Sequence, residues 1–150
     1  MKSKLYLPKS LTDRFPETFP GVYTEWISVS KAWNGVVCTF VPCVILGSGS
    51  YKYCAESFLF SLVNPSGSEP TKMPLTGNYN KNGIHCRSEY GPTFGGNHDL
   101  YIATGANANS NSYSILGYTY KCPGNGNSSF LVGQRNFSVN EVEVFVFKAS

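Results

Sequence analysis

Aspartate is nearly missing from this sequence: Asp13 and Asp99 are the only two among nine acidic and twelve basic side chains in 150 residues. Charge as a whole is sparse, at 14% of the chain against about 25% in a typical domain. The formal excess of +3 sits at the start, where Lys2, Lys4, Lys9 and Arg14 face Asp13 alone. The rest of the chain is neutral, so nucleic-acid binding through the phosphate backbone has no electrostatic support. No apolar run reaches the ~20 residues that a membrane helix needs. The longest candidate, VVCTFVPCVIL from Val36 to Leu46, carries Pro42 inside it. The basic opening MKSKLYLPKSLTDRF has neither an apolar core nor a small-residue cleavage site, so it is a poor secretory signal. The chain is expected to be intracellular and cytoplasmic, without a transmembrane segment.

Cysteine pairing is also missing. Five cysteines, at 38, 43, 54, 86 and 122, are an odd number with no CxxC among them. Neither a closed disulfide framework nor a zinc ribbon is signalled, and free thiols in a reducing compartment fit best. No stretch of ten or more residues shows a 3.6-residue period, so helix should be scarce. What is plentiful is aromatic: ten Tyr and ten Phe, side chains suited to pleated sheets.

Strands are expected from residue 21, in Val36 to Leu46 with Pro42 at an edge or bulge, and in ESFLFSL at 56–62, a run apolar enough to be buried on both faces. Further strands are expected at Asp99 to Ala103, at Tyr113 to Tyr120 and in the closing FSVNEVEVFVFK. In that last segment Val142, Val144 and Val146 share one face, and Glu141, Glu143, Phe145 and Phe147 share the other. TGANANSNS at 104–112 reads as a surface loop. Residues 1–20, punctuated by Pro8, Pro16 and Pro20, read as a loosely attached leader.

The stretch FGGNHDLYI, residues 94–102, brings glycines, a histidine and the second aspartate together. It lacks the three glycines of a dinucleotide fingerprint and the Gly-Lys-Ser/Thr of a phosphate loop, so a turn is the physical reading. Gly95 and Gly96 supply backbone freedom, Asp99 caps the turn by accepting nearby amides, and Leu100 and Ile102 enter the core. An enzyme would need more. His85 or His98 is a candidate base, but no GxSxG marks a nucleophile, and alternation along a strand sends Cys86 away from His85. A hydrolase or thiol redox enzyme using His98, Asp99 and Cys86 or Cys122 is the alternative. A metal held by both histidines and Asp99 lacks any standard ligand spacing. Glu141 and Glu143, about 7 Å apart along a strand, read as solvated carboxylates before they read as a glycosidase pair.

Four segments in order resemble the second half of a TLDc domain, the module of oxidation-resistance and nuclear-coactivator-like proteins. They are ESFLFSLVNPSGSEPTKMPL (56–75), SEYGPTFGGNHDLYI (88–102), SNSYSILGYTYKCP (110–123) and FLVGQRNFSVNEVEVFVF (130–147). GVYTEW at 21–26 is similar to the family's GGYT segment, with Val22 in place of a glycine. Residues 33–49 match no family segment, so 21–150 reads as an incomplete or divergent TLDc-like domain. The resemblance implies a mainly β fold, two antiparallel sheets in a sandwich with a few short helices. It further implies a non-catalytic protein-interaction module linked to oxidative-stress protection and to subunits of the vacuolar proton-pumping ATPase, with no cofactor, no metal and no catalytic residues. Gly95, Gly96, Asp99, Gly117 and Glu143 are its landmarks, structural or partner-binding in role. A carbohydrate-binding β-sandwich is a further alternative.

Overall fold

Within the run at 56–62 that reads as buried on both faces, Phe58, Leu59, Phe60 and Ser61 are all at most 3% exposed, while the strand's end is more open, with Leu62 half-buried and Val63 exposed. A computed structural model describes residues 26–32, 35–41, 49–87, 89–123 and 125–146, of which 26–32, 35–41 and 143–146 are described by their backbone. The strands, in chain order, are β1 (Trp26–Ala32), β2 (Gly35–Val41), β3 (Ser50–Lys52), β4 (Phe58–Val63), β5 (Thr71–Pro74), β6 (Ile84–Cys86), β7 (Thr93–Phe94), β8 (Leu100–Tyr101), β9 (Ser112–Ser114), β10 (Asn136–Phe137) and β11 (Val139–Val146). The expected leader, residues 1–20, lies outside the described residues.

Two antiparallel sheets result. One has the order β11-β1-β2-β4-β5, the other β10-β9-β8-β7-β6-β3. Leu59, Met73 and Val139 of the first pack in one buried cluster with Ile84, Phe94 and Leu100 of the second, which makes the pair a β-sandwich. Helix is confined, among the described residues, to two single 3₁₀ turns at Asn80–Asn82 and Ala106–Ala108. No described helix is long and apolar enough to cross a membrane.

Residues 35–41, within the stretch read from the sequence as an unmatched insert, form β2, paired to β1 on one side and β4 on the other. Pro42, expected at an edge or bulge, is outside the described residues. β2 itself is an interior strand that ends at Val41. The alternation in β11 is kept in register, with Val142 and Val144 opposite Ser30 and Ser28, and Glu141 and Glu143 opposite Lys31 and Val29.

Two strands are shorter than their composition predicts. The run expected from Asp99 to Ala103 pairs as a strand only at Leu100–Tyr101. The run expected from Tyr113 to Tyr120 ends as a strand at Ser114. The reason for the second is physical: the amides of residues 117–120 turn toward a carboxylate instead of a neighbouring strand. That loop still bridges the sandwich, since Tyr120 forms an isolated bridge with Leu75, and Lys121 N–H donates to the Pro74 carbonyl at 2.8 Å at the end of β5. The loop at 104–112 runs largely exposed, with Ala106 tucked into the core.

Candidate functional site

The GGNHD turn is built first by its glycine. Gly95 has φ +90, and a Cβ there would lie 2.0 Å from Oδ1 of Asp99, so any side chain is excluded by conformation and by space. The turn closes through His98 N–H donating to the Gly95 carbonyl at 3.1 Å. Gly96 N–H donates to Thr119 Oγ1 at 2.8 Å, and a Cβ on Gly96 would press on Asn82 at 2.7 Å.

Asp99 does not cap its own turn, as its position in the sequence suggests. Its carboxylate, fully buried, accepts the backbone N–H groups of Gly117, Tyr118, Thr119 and Tyr120 at 3.1–3.2 Å. Four successive amides converging on one anion form a nest, the same device that binds phosphate elsewhere, here filled by the protein's own side chain. Gly117, at φ +114, allows the chain to curl that tightly. Burial pushes the Asp99 carboxyl above the usual carboxylate range, while the four amides oppose the shift by favouring the charged form. The Asp99 main-chain carbonyl adds two more bonds, accepting Ile115 N–H and the Ser114 hydroxyl, both at 3.0 Å.

Across the outer face of the second sheet a different row assembles. The register aligns Tyr51, His85, Thr93, Tyr101 and Tyr113 on successive strands, while the neighbouring row, Ile84, Phe94, Leu100 and Ser114, points into the core. His98, held at φ +55, swings over this face. Its Nε2 lies 3.2 Å from Nδ1 of His85, and its Nδ1 lies 2.9 Å from the Tyr113 hydroxyl. Rings surround the pair: Tyr51 stacks on His85 at 4.1 Å between centroids, Tyr101 stacks on His98 at 5.8 Å, and Tyr90 stands edge-on to both histidines. Desolvation lowers the pKa of His85, with His98 and Arg87 adding to the shift, and desolvation alone lowers that of His98. Burial raises the phenols of Tyr51 and Tyr113.

The sequence candidates are thereby sorted. Gly95, Gly96, Asp99 and Gly117 meet in one place, and Glu143 stands apart in β11. His98 and Asp99, adjacent in the chain, face different partners and do not form an acid–base pair. Cys86 is buried on the core side of β6, opposite His85, as alternation predicts. Cys122 is half-buried, and its thiol is pushed up by burial and then by Asp99, away from the thiolate character a reactive cysteine needs. Among the described residues no group of three or more His, Cys, Asp or Glu gathers as a metal site. Sequence reasoning missed the pairing of His85 with His98 and Tyr113, whose signal is a strand register visible only in the folded sheet.

The described residues thus form a β-sandwich whose second sheet is locked by a buried carboxylate–amide nest. The sequence profile of the TLDc domain matches residues 22–148, and the chain belongs to the TLDc domain family. No curated protein matches it.

Two outcomes follow from this geometry. Asp99→Asn presents an amide donor to four amide donors and destabilises the fold by about 3 kcal/mol in urea denaturation, the scale for orphaned buried hydrogen-bonding groups; a loss below about 0.5 kcal/mol contradicts the nest. The histidines have folded-state pKa values below the ordinary 6.5, so below that pH the unfolded chain binds more protons than the folded one. Stability therefore falls on acidification from about pH 7 to about pH 5, and His85→Phe flattens that slope.

Proposed function

We propose that this TLDc-type chain is a non-catalytic protein-interaction module linked to oxidative-stress protection, and that its partner is a subunit of the vacuolar proton-pumping ATPase. One observation carries the reading of a docking surface. Tyr53, Tyr79 and Tyr118 are 58%, 55% and 40% exposed, far more than large aromatics need to be. Tyr53 and Tyr79, with Asn80, Lys81 and Asn82, line an open cavity of about 780 Å³. Tyr79 stacks on Tyr118 with centroids 4.3 Å apart. It does so from a left-handed backbone, φ +56, which costs a non-glycine residue about 1–2 kcal/mol. Strain kept at an exposed aromatic is a mark of use, and tyrosine is among the residues that dominate binding energy at interfaces.

The non-catalytic part of the proposal has its own support. The Asp99 carboxylate is committed to four amides, the Cys86 side chain is directed into the core, and both histidines are engaged with each other. A carbohydrate occupant is the second reading, because Asn80 and Asn82 flank the same tyrosines.

Capture of the pump's isolated peripheral sector by immobilised chain tests the proposal. Tyr79→Ala and Tyr118→Ala each weaken capture about tenfold, near the threshold of a hot spot, while His98→Asn leaves it unchanged. Capture unaffected by either tyrosine, or displaced by chitohexaose, contradicts the protein-docking reading.

A further inference from the structure

Tyr113 differs from Tyr51 and Tyr120 in what its hydroxyl meets. Tyr51 donates to the carbonyl of Gly96 at 3.0 Å, and Tyr120 donates to that of Gly83 at 2.9 Å from a fully buried position. A carbonyl is a poor proton acceptor. Tyr113 instead bonds an imidazole nitrogen, and that imidazole bonds a second one. With the Tyr113 O–H donating to Nδ1 of His98, and Nε2–H of His98 donating to Nδ1 of His85, three groups form one directed chain from the phenol to the half-buried His85 ring.

We propose that Tyr113, His98 and His85 form a proton-coupled electron-donor site for small oxygen-centred radicals that reach this face of the sheet. One electron passes from the Tyr113 ring to the radical, which becomes its oxyanion. The phenol O–H bond breaks, and its proton forms an N–H bond at Nδ1 of His98. The Nε2–H bond of His98 breaks as its proton moves to Nδ1 of His85, leaving a neutral phenoxyl radical on Tyr113 and an imidazolium at His85. With a neutral radical the products carry one negative and one positive charge, equal to the neutral reactants; with the carbonate radical anion they are a carbonate dianion and one positive charge, equal to the single negative charge of the reactants. Loss of the proton at the moment of oxidation removes the cost of a cationic phenol radical, which is the role of a positioned base.

The surroundings suit this role. Tyr101 lies 5.1 Å from Tyr113 between ring centroids, and Tyr90 stands edge-on to Tyr101 at 5.5 Å, so aromatic density adjoins the donor. The charged groups acting on the chain are Arg87 beside His85 and Arg135 near Tyr113. Arg87 favours a neutral His85 over a cationic one, which keeps its acceptor nitrogen free of a proton in the resting state, and Arg135 favours loss of the Tyr113 proton. The inference is independent of the docking reading, because the Tyr79 and Tyr118 variants leave these residues in place.

Oxidation of the purified chain with photogenerated carbonate radical tests it, read by electron paramagnetic resonance and by mass mapping of modified tyrosines. Tyr113 is expected to oxidise ahead of the more exposed Tyr53, Tyr79 and Tyr118. His98→Phe, which keeps a ring in the stack, lowers the rate at Tyr113 by about a hundredfold, the lower end of what a positioned base contributes. His98→Asn, whose side chain tolerates the left-handed backbone, has the same effect if the phenylalanine variant fails to fold. Modification that follows exposure alone, or a Tyr113 rate unchanged by His98→Asn in a folded chain, overturns the proposal.

Discussion

A single buried anion organises the second half of this protein. Asp99 is placed at the mouth of β8, out of water, and everything around it is arranged so that its charge is met by backbone dipoles. Removing a carboxylate from water is expensive, and a nest of four amides offsets that cost only if all four are aimed together. The chain at 117–120 must therefore abandon the strand conformation its composition favours. Once curled, it carries Tyr120 into the core and brings Lys121 onto the end of β5 in the opposite sheet. One electrostatic requirement thus fixes a loop, a core tyrosine and a contact between the two layers.

The same turn has a second consequence on the other side of the sheet. Asp99 points inward, and His98, one residue earlier in a left-handed conformation, is thrown across the outer face. There it meets His85 and Tyr113, which strand register has already lined up. The histidine cluster and the carboxylate nest are two products of one turn, separated by the thickness of a strand. Neither resembles an acid–base pair, although adjacent His and Asp in the sequence invite that reading.

Much of the fold was legible in residues whose environment is local. FLFSLV is apolar at nearly every position, and its first four residues are buried on both faces. The valines of β11 alternate with the glutamates as a strand requires, and the scarcity of helix expected from the missing 3.6-residue period agrees with two short 3₁₀ turns among the described residues. Leu100 and Ile102 entered the core as their turn predicted. What failed depended on distance along the chain. YSILGYTY has strand composition, yet its amides answer to a carboxylate 18 to 21 residues earlier. Gly95 and Asp99 were recognised as a turn, but not that the turn's acid serves another loop. The exposure of Tyr79 and Tyr118 has no local signature, because core and surface tyrosines look alike in a sequence.

Amide hydrogen exchange at residues 117–120, followed by nuclear magnetic resonance, tests the central claim most directly. Gly117 and Tyr118 lie on the surface in a loop without secondary structure, where fast exchange is the ordinary expectation. If the Asp99 nest organises the fold, the four amides exchange as slowly as those of β4 in the core. Exchange as fast as that of the exposed loop at 104–112 would mean that the carboxylate does not hold them and that the nest does not organise the fold.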